Sequence, residues 1–278
     1  MTTDPSDPVR RLLRLLTLDP VGEDRFLAAT PSDGPSRLFG GQVAAQALRA
    51  ATLTVDAGRP PHSMHAYFVR PGRPGTPLEL NVERVRDGRS FTTRQVTASQ
   101  QGEAIFVLSA SFHAGEPGDD WQLPGPVDVP DPDPEPDPTS PMGQFETMSP
   151  LDVRPVNRGV GFRGPIHPFW VRTRGPLADD PALHACVIAF LSDMGMVASV
   201  RATASTPAER FTGASLDHAL WFHRPARADD WLLYDVHPVS NFGSRGLAHG
   251  TFHTRDGTLV ASVAQEALIR PTSTTPLP

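Results

Sequence analysis

Between residues 182 and 200 apolar side chains fall in nearly every helical direction, which predicts a helix buried on most sides rather than one with a solvent face. Asp193 sits in its middle as the only formally charged side chain of the stretch. A carboxylate in such a place costs on the order of several kcal/mol in desolvation unless hydrogen bonds or a wet cavity compensate. A second helix is predicted from Phe39 onward, rich in alanine and opened by Gly40 and Gly41. Small residues there let another backbone or a ligand come close. Strand-like stretches lie at 24–29, 63–70, 77–85, 90–99 and 104–113, and again at 145–154, 169–174, 216–223, 231–238, 247–254 and 259–269, with Gly-containing turns between them.

The two series repeat. Pro71 and Pro225 close similar strands 154 residues apart, while Gly88 and Gly243, and Gly102 and Gly257, recur at 155. One long helix followed by four antiparallel strands, used twice, predicts an α+β chain in which each sheet wraps its own helix and the two sheets join side by side. The expected divisions are an N-terminal helix over 1–20, a first unit over 21–114, a linker over 115–144 and a second unit over 145–278. The linker is acidic and punctuated by proline, as in VPDPDPEPDPTSP at 129–141, and reads as an extended spacer.

Composition narrows the function. A net charge of −6 argues against nucleic acid as a partner. The single cysteine, Cys186, rules out an intrachain disulfide and fits a buried thiol in a reducing compartment, so a cytoplasmic protein is expected. The basic amphipathic run at 10–17 reads as a helix packed on the edge of the fold, and no stable membrane insertion is expected.

The repeat also singles out chemistry. In the last strand Leu259, Ala261, Val263, Gln265, Ala267 and Ile269 alternate onto one face, and Gln265 is its only polar member. The first copy has Ala110 at the matching position. Gln265 and Asp193 are thus lone polar groups on apolar elements that should cover one another, and Ser215 begins a strand of the same sheet. Other patterns fail. There is no G-x-S-x-G elbow and no phosphate-binding glycine loop. Asp217 and His218 are adjacent and point to opposite strand faces. The histidines at 62, 65, 218, 223, 249 and 253 lack a companion cysteine or carboxylate pattern, so no metal is expected.

Several longer motifs are similar to the acyl-CoA thioesterase II family. They are LFGGQVAAQA at 38–47, HSMHAYFVRPG at 62–72, RDGRSFTTR at 86–94, LSDM at 191–194, ASLDHALWFHRP at 214–225, WLLY at 231–234, SRG at 244–246 and VASVAQE at 260–266. The resemblance implies a double hotdog fold, hydrolysis of acyl-CoA to fatty acid and CoA, no cofactor, and a homo-oligomer. It implies a catalytic trio of Asp193, Ser215 and Gln265. The sequence departs from the family pattern at Ala267, where glycine is usual, and at Phe190, where tyrosine is frequent.

On that resemblance Asp193 is expected to act on a water held by Ser215 and Gln265, or else to attack the thioester directly. Backbone N–H groups at Gly40 and Gly41 are expected to line the oxyanion site, and Arg70, Arg89, Arg224 and Arg245 are candidate partners of the CoA phosphates. Two other classes stay open: a double hotdog that binds acyl-CoA without turnover, and a hydratase or dehydratase. The latter needs an aspartate–histidine pair that the sequence does not place.

Overall fold

The computed structural model describes residues 8–32, 36–125, 129–132, 148–156, 168–203 and 211–271. Helix α1 (Pro8–Leu16) leads into strands β1 (Leu18–Gly22) and β2 (Arg25–Ala28), then helix α2 (Gly40–Thr52) and strands β3 (Pro61–Phe68), β4 (Leu78–Asp87), β5 (Phe91–Gln100) and β6 (Glu103–His113). The second half has β7 (Leu151–Pro155), β8 (Phe169–Thr173), α3 (Pro181–Ser192), α4 (Met196–Arg201), β9 (Phe211–Ser215), β10 (Asp217–Phe222), β11 (Leu232–Phe242), β12 (Arg245–Thr254) and β13 (Leu259–Pro271). The sequence reading omitted β1, and the division at 20/21 falls inside that strand. Of the strand expected at 145–154, residues 145–147 lie outside the described residues, 148–150 form a turn, and β7 begins only at Leu151.

All strand pairs are antiparallel and form one sheet in the order β1-β2-β4-β5-β6-β3-β10-β13-β12-β11-β8-β7, with β9 also on β13. The two copies meet where β3 pairs with β10, Met64 lying opposite Leu220. This is the continuous double sheet that the repeat predicts. Its α+β architecture is the double hotdog, each half-sheet closed over a helix.

The helices occupy the inner face. In α2 the alanines 44, 45, 47, 50 and 51 are fully buried, because β3–β6 cover one side and α3 the other. The two helices run antiparallel and are tied at both ends. At one end Arg49 of α2 pairs with Asp180 at 3.5 Å, and Asp180 caps α3 by accepting from the Ala182 N–H at 2.9 Å. At the other end α2 begins against the last turn of α3, so closely that a methyl group on Gly41 would run into the Phe190 carbonyl.

The helix expected over 182–200 is broken. It stops at Ser192, Asp193 is its C-cap, Gly195 takes φ 77°, and α4 starts at Met196. A glycine adopts that left-handed conformation at no steric cost, which lets the chain turn out of the helix directly after the acid. The combined stretch Pro181–Arg201 is long and apolar enough to cross a bilayer, but 78% of its most apolar window is buried inside the fold, the mark of a core helix.

Of the linker expected over 115–144, residues 126–128 and 133–144 lie outside the described residues. Where described, it is strapped to the second half. The Gln122 side chain donates to the Gly257 carbonyl at 2.8 Å and accepts from the Leu259 N–H at 2.9 Å, acting as an extra peptide group beside the β12–β13 turn. Asp120 pairs with Arg224, Asp131 with Arg255, and the Trp170 indole donates to the Pro130 carbonyl at 2.8 Å. Asp120 and Asp131 thus anchor the described part of the segment.

Because the obstacle at Gly41 is backbone, Gly41→Ala is expected to cost about 1–3 kcal/mol of unfolding free energy, as overpacking does in close-packed interiors. Urea denaturation measures this directly, and an unchanged midpoint would contradict the close helix contact.

Candidate active site

Strands β9 and β10 are one strand interrupted by a bulge. Ser215 lies opposite Ala267, whereas Ala219 lies opposite Ala264, so one residue is gained between them on the β9–β10 side. The Asp217 carboxylate takes the place of a ladder carbonyl by accepting the Glu266 N–H at 2.6 Å. In a regular strand Ser215 and His218 would face opposite ways; the bulge turns both toward the inner face. Both reach Gln265 on β13.

A chain of hydrogen bonds results. The Gln265 amide donates to Ser215 Oγ at 2.9 Å, and Ser215 Oγ lies 3.4 Å from Asp193 Oδ1, a long contact. Asp193 Oδ2 accepts the Gly41 N–H at 2.9 Å. Behind Gln265, its carbonyl oxygen lies 2.5 Å from His218 Nδ1, while His218 Nε2 lies 2.7 Å from Ser192 Oγ. Tyr234 donates its hydroxyl to the Ser192 carbonyl at 2.5 Å. Asp193, Ser215 and Gln265 are thus brought together as the sequence reading expects.

Asp193 is half-buried. Burial pushes its carboxyl above the usual range, opposed by His218, by the Gln265 amide, by the Gly41 N–H and by the Ser215 hydroxyl. Its place at the C-terminal end of α3 is electrostatically poor for an anion, and the N-terminus of α2 supplies the opposite dipole. Burial also pushes His218 down toward the neutral imidazole and the Tyr234 hydroxyl well up. The site therefore holds a raised carboxylate among neutral donors. Such a base is stronger than an exposed aspartate.

The two glycines divide the work expected of them. Gly41 N–H is engaged by Asp193, whereas Gly40 N–H, the first of α2, has no hydrogen-bond partner among the described residues. A methyl on Gly40 would meet Asp193 Oδ2 at 2.7 Å and the Phe68 ring at 2.8 Å, so glycine is needed for the acid to approach. Gly40, Gly41 and Phe68 all belong to the first half, which makes the site a joint product of both copies. Ala267 is buried in register with Ser215 and Gly246, beside the trio.

The arginines are scattered. Arg245 pairs with Glu266 at 2.9 Å, Arg70 donates to the Ala104 carbonyl at 2.7 Å, and Arg224 donates to the Leu259 carbonyl at 2.8 Å. Arg89 is exposed, and its carbonyl accepts from Arg59 beyond the C-terminal end of α2. Among the described residues no three His, Cys, Asp or Glu side chains gather as a metal site.

His218 is the group that sequence reasoning missed, and with it the nearness of a histidine to the acid. The signal was there in the repeat. At an offset of 154, His218 corresponds to Met64, which lies opposite Ala110 as His218 lies opposite Gln265. The first copy carries its polar group one strand over. Buried Arg94, opposite Ala110, donates to Thr54 Oγ1 and the Thr54 carbonyl, both at 2.9 Å, and so ties down the end of α2. The second copy has Ala248 at that place, opposite Gln265.

Comparison with known proteins gives a consistent picture. Residues 142–268 match the acyl-CoA thioesterase family, and residues 29–113 match the acyl-CoA thioesterase N-terminal domain. The chain is 35% identical to acyl-coenzyme A thioesterase 8 of Homo sapiens, covering 96% of this chain and 92% of that protein. It is 33% identical to acyl-CoA thioesterase 2 of Haemophilus influenzae, covering 95% and 99%. The crystal structure of acyl-CoA thioesterase II TesB2 from Mycobacterium marinum superposes with a TM-score of 0.81 at 40% identity, covering 94% and 99% of the two chains.

The raised carboxyl of Asp193 has a stability consequence. An acid that holds its proton more tightly folded than unfolded costs stability once ionised. That cost is present above the raised folded pKa and fades as pH falls through it toward the ordinary aspartate value, about 3.9. Asp193→Asn, which keeps an acceptor for Gly41, is therefore expected to melt higher than the wild type at pH 7, with the difference shrinking in acid. Calorimetry at a series of pH values measures it; a variant less stable than the wild type at pH 7 would contradict the burial penalty.

Proposed function

The chain belongs to the acyl-CoA thioesterase family of thioester hydrolases, and on that premise we propose that it cleaves fatty acyl-CoA by a water that Asp193 deprotonates and that Ser215 and Gln265 hold. The observation that carries this reading is a carboxylate of raised pKa, hydrogen-bonded to a helix N-terminus and joined to Gln265 through Ser215. Hydrolysis needs an oriented water, a base, and a donor for the oxyanion that forms on the thioester carbonyl. Asp193 is the base. Ser215 and Gln265 each donate and accept, so they orient the water between them.

For the oxyanion, the unpartnered N–H of Gly40 lies at the positive end of α2, beside the acid. Gly41 serves the acid instead. The leaving thiolate has a pKa near the cysteine value of about 8.5, so its departure asks little of a general acid. Phe68, packed at Gly40, provides apolar surface at the reacting centre, and Ala267 narrows the wall beside Ser215 where a glycine would widen it.

Direct attack by Asp193 through a mixed anhydride is the second reading, and the closeness of Asp193 Oδ2 to Gly40, whose N–H suits an oxyanion, favours it. Arg70, Arg224 and Arg245 remain available to CoA phosphates only by exchanging the contacts they now make, and Arg89 serves only if the nucleotide reaches the far end of α2. A cytoplasmic setting is supported by Cys186, a free thiol pushed up to about 12 by burial. Self-association into a homo-oligomer is supported by Tyr67 and Trp221, exposed aromatics on the central strand pair.

Thiol release from acyl-CoA tests the assignment. Asp193→Asn is expected to lose about 10²- to 10⁴-fold in kcat, the usual worth of a general base, while staying folded. Near-normal turnover would reject it. In the wild type, kcat/KM should fall as pH drops, with its acid limb displaced above the ordinary aspartate range. A limb at the ordinary value would mean that the raised group is not the base.

A further inference from the structure

We propose that His218 is a positioning residue that fixes the Gln265 amide in its working orientation, with the carbonyl held by the imidazole and the NH2 directed to Ser215 and Asp193. The inference rests on the water-activating reading above and deepens it.

A glutamine amide has two nearly isosteric ends, and only one arrangement serves this site. With the NH2 toward Ser215 at 2.9 Å, it supplies donors where the Asp193 anion needs them. The reversed amide would set its carbonyl oxygen against the carboxylate, acceptor against acceptor. The choice is made on the other side, where the Gln265 carbonyl meets His218 Nδ1 at 2.5 Å. That nitrogen must carry a proton.

Ser192 ensures it. Its hydroxyl lies 2.7 Å from His218 Nε2 and 2.9 Å from the Ala189 carbonyl, and it has one proton to give. When the imidazole is neutral, Ser192 donates to Nε2 and leaves the ring proton on Nδ1. When the ring is protonated, Nε2 donates to Ser192, whose proton turns to Ala189. In both states Nδ1–H points at Gln265, so only the Ser192–His218 link reverses and the chain His218, Gln265, Ser215, Asp193 keeps one donor direction. His218 is 1% exposed, and the site group its ring is hydrogen-bonded to is Gln265, through which it positions the trio.

The first copy provides the substitution to use. Met64 occupies the corresponding strand position opposite Ala110, where there is no amide to orient. His218→Met should therefore be housed by the sheet while losing the donor. His218→Asn returns an N–H close to the place of Nδ1.

Thiol-release kinetics on the wild type, His218→Met, His218→Asn, Gln265→Ala and the double variant His218→Met/Gln265→Ala test the proposal. His218→Met is expected to lose about 10- to 100-fold in kcat, the scale of one lost hydrogen bond to a buried site group, with KM changed by less than about twofold. His218→Asn should recover most of that loss. The double variant should be no slower than Gln265→Ala, because a residue that works through Gln265 has nothing left to position.

A His218→Met enzyme with normal kcat, a His218→Asn enzyme as slow as His218→Met, or losses that multiply in the double variant would each overturn it. Should the His218 variants not fold, Ser192→Ala carries the same test. Its loss is expected to vanish in the Gln265→Ala background, and a loss that persists there overturns the proposal. A fully active Gln265→Ala enzyme would reject water activation by the trio itself. A slow Gln265→Ala beside a fast His218→Met would reject only the positioning role.

Discussion

The contact between the Gly41 N–H and the Asp193 carboxylate, 2.9 Å long, is the constraint on which the rest of the structure depends. An anion at the C-terminal end of one helix is tolerable here because the N-terminal end of another is pressed against it. That demands two helices running antiparallel with no side chain between them, hence glycine at both 40 and 41. It also demands that α3 end at the acid rather than continue past it, which Gly195 achieves with its left-handed turn. Since one helix belongs to each half, neither half holds the site alone.

Duplication explains how this came from a symmetric plan. Three neighbouring inward positions read Met64, Ala110 and Arg94 in the first copy and His218, Gln265 and Ala248 in the second. In the first, a buried arginine closes the end of its helix by binding the Thr54 carbonyl. In the second, the polar group has moved one strand and now faces the acid that ends the helix there. Stability and chemistry thus occupy corresponding places in the two copies. The first copy contributes more than architecture, because the start of its helix holds the acid.

Much of this was legible in the sequence. Alternation along 259–269 identified Gln265, the all-round apolarity of 182–200 identified Asp193, and the 154–155 residue offset gave the joined sheet. Three things were not legible, each for a physical reason. The helix break at Asp193 was hidden because the residues of α4 are as apolar as those of α3, so composition carries no boundary. The bulge between Ser215 and His218 was hidden because it is fixed by a carboxylate capturing the Glu266 N–H, a contact distant in sequence. Without the bulge, strand periodicity sets His218 on the wrong face from Ser215 and separates it from the site. The anchoring of residues 115–125 and 129–132 was hidden because their partners, Arg224, Arg255 and Gly257, lie about a hundred or more residues away and proline-rich composition speaks only of local stiffness.

The central claim is that Asp193 acts on a water and not on the thioester itself. A single turnover of excess enzyme in 18O-labelled water, followed by mass analysis of the fatty acid and of the peptide containing Asp193, tests it most directly. Water activation predicts one labelled oxygen in the released acid and none in the Asp193 carboxylate. Label in that carboxylate would show that Asp193 had formed an anhydride, and would contradict the account.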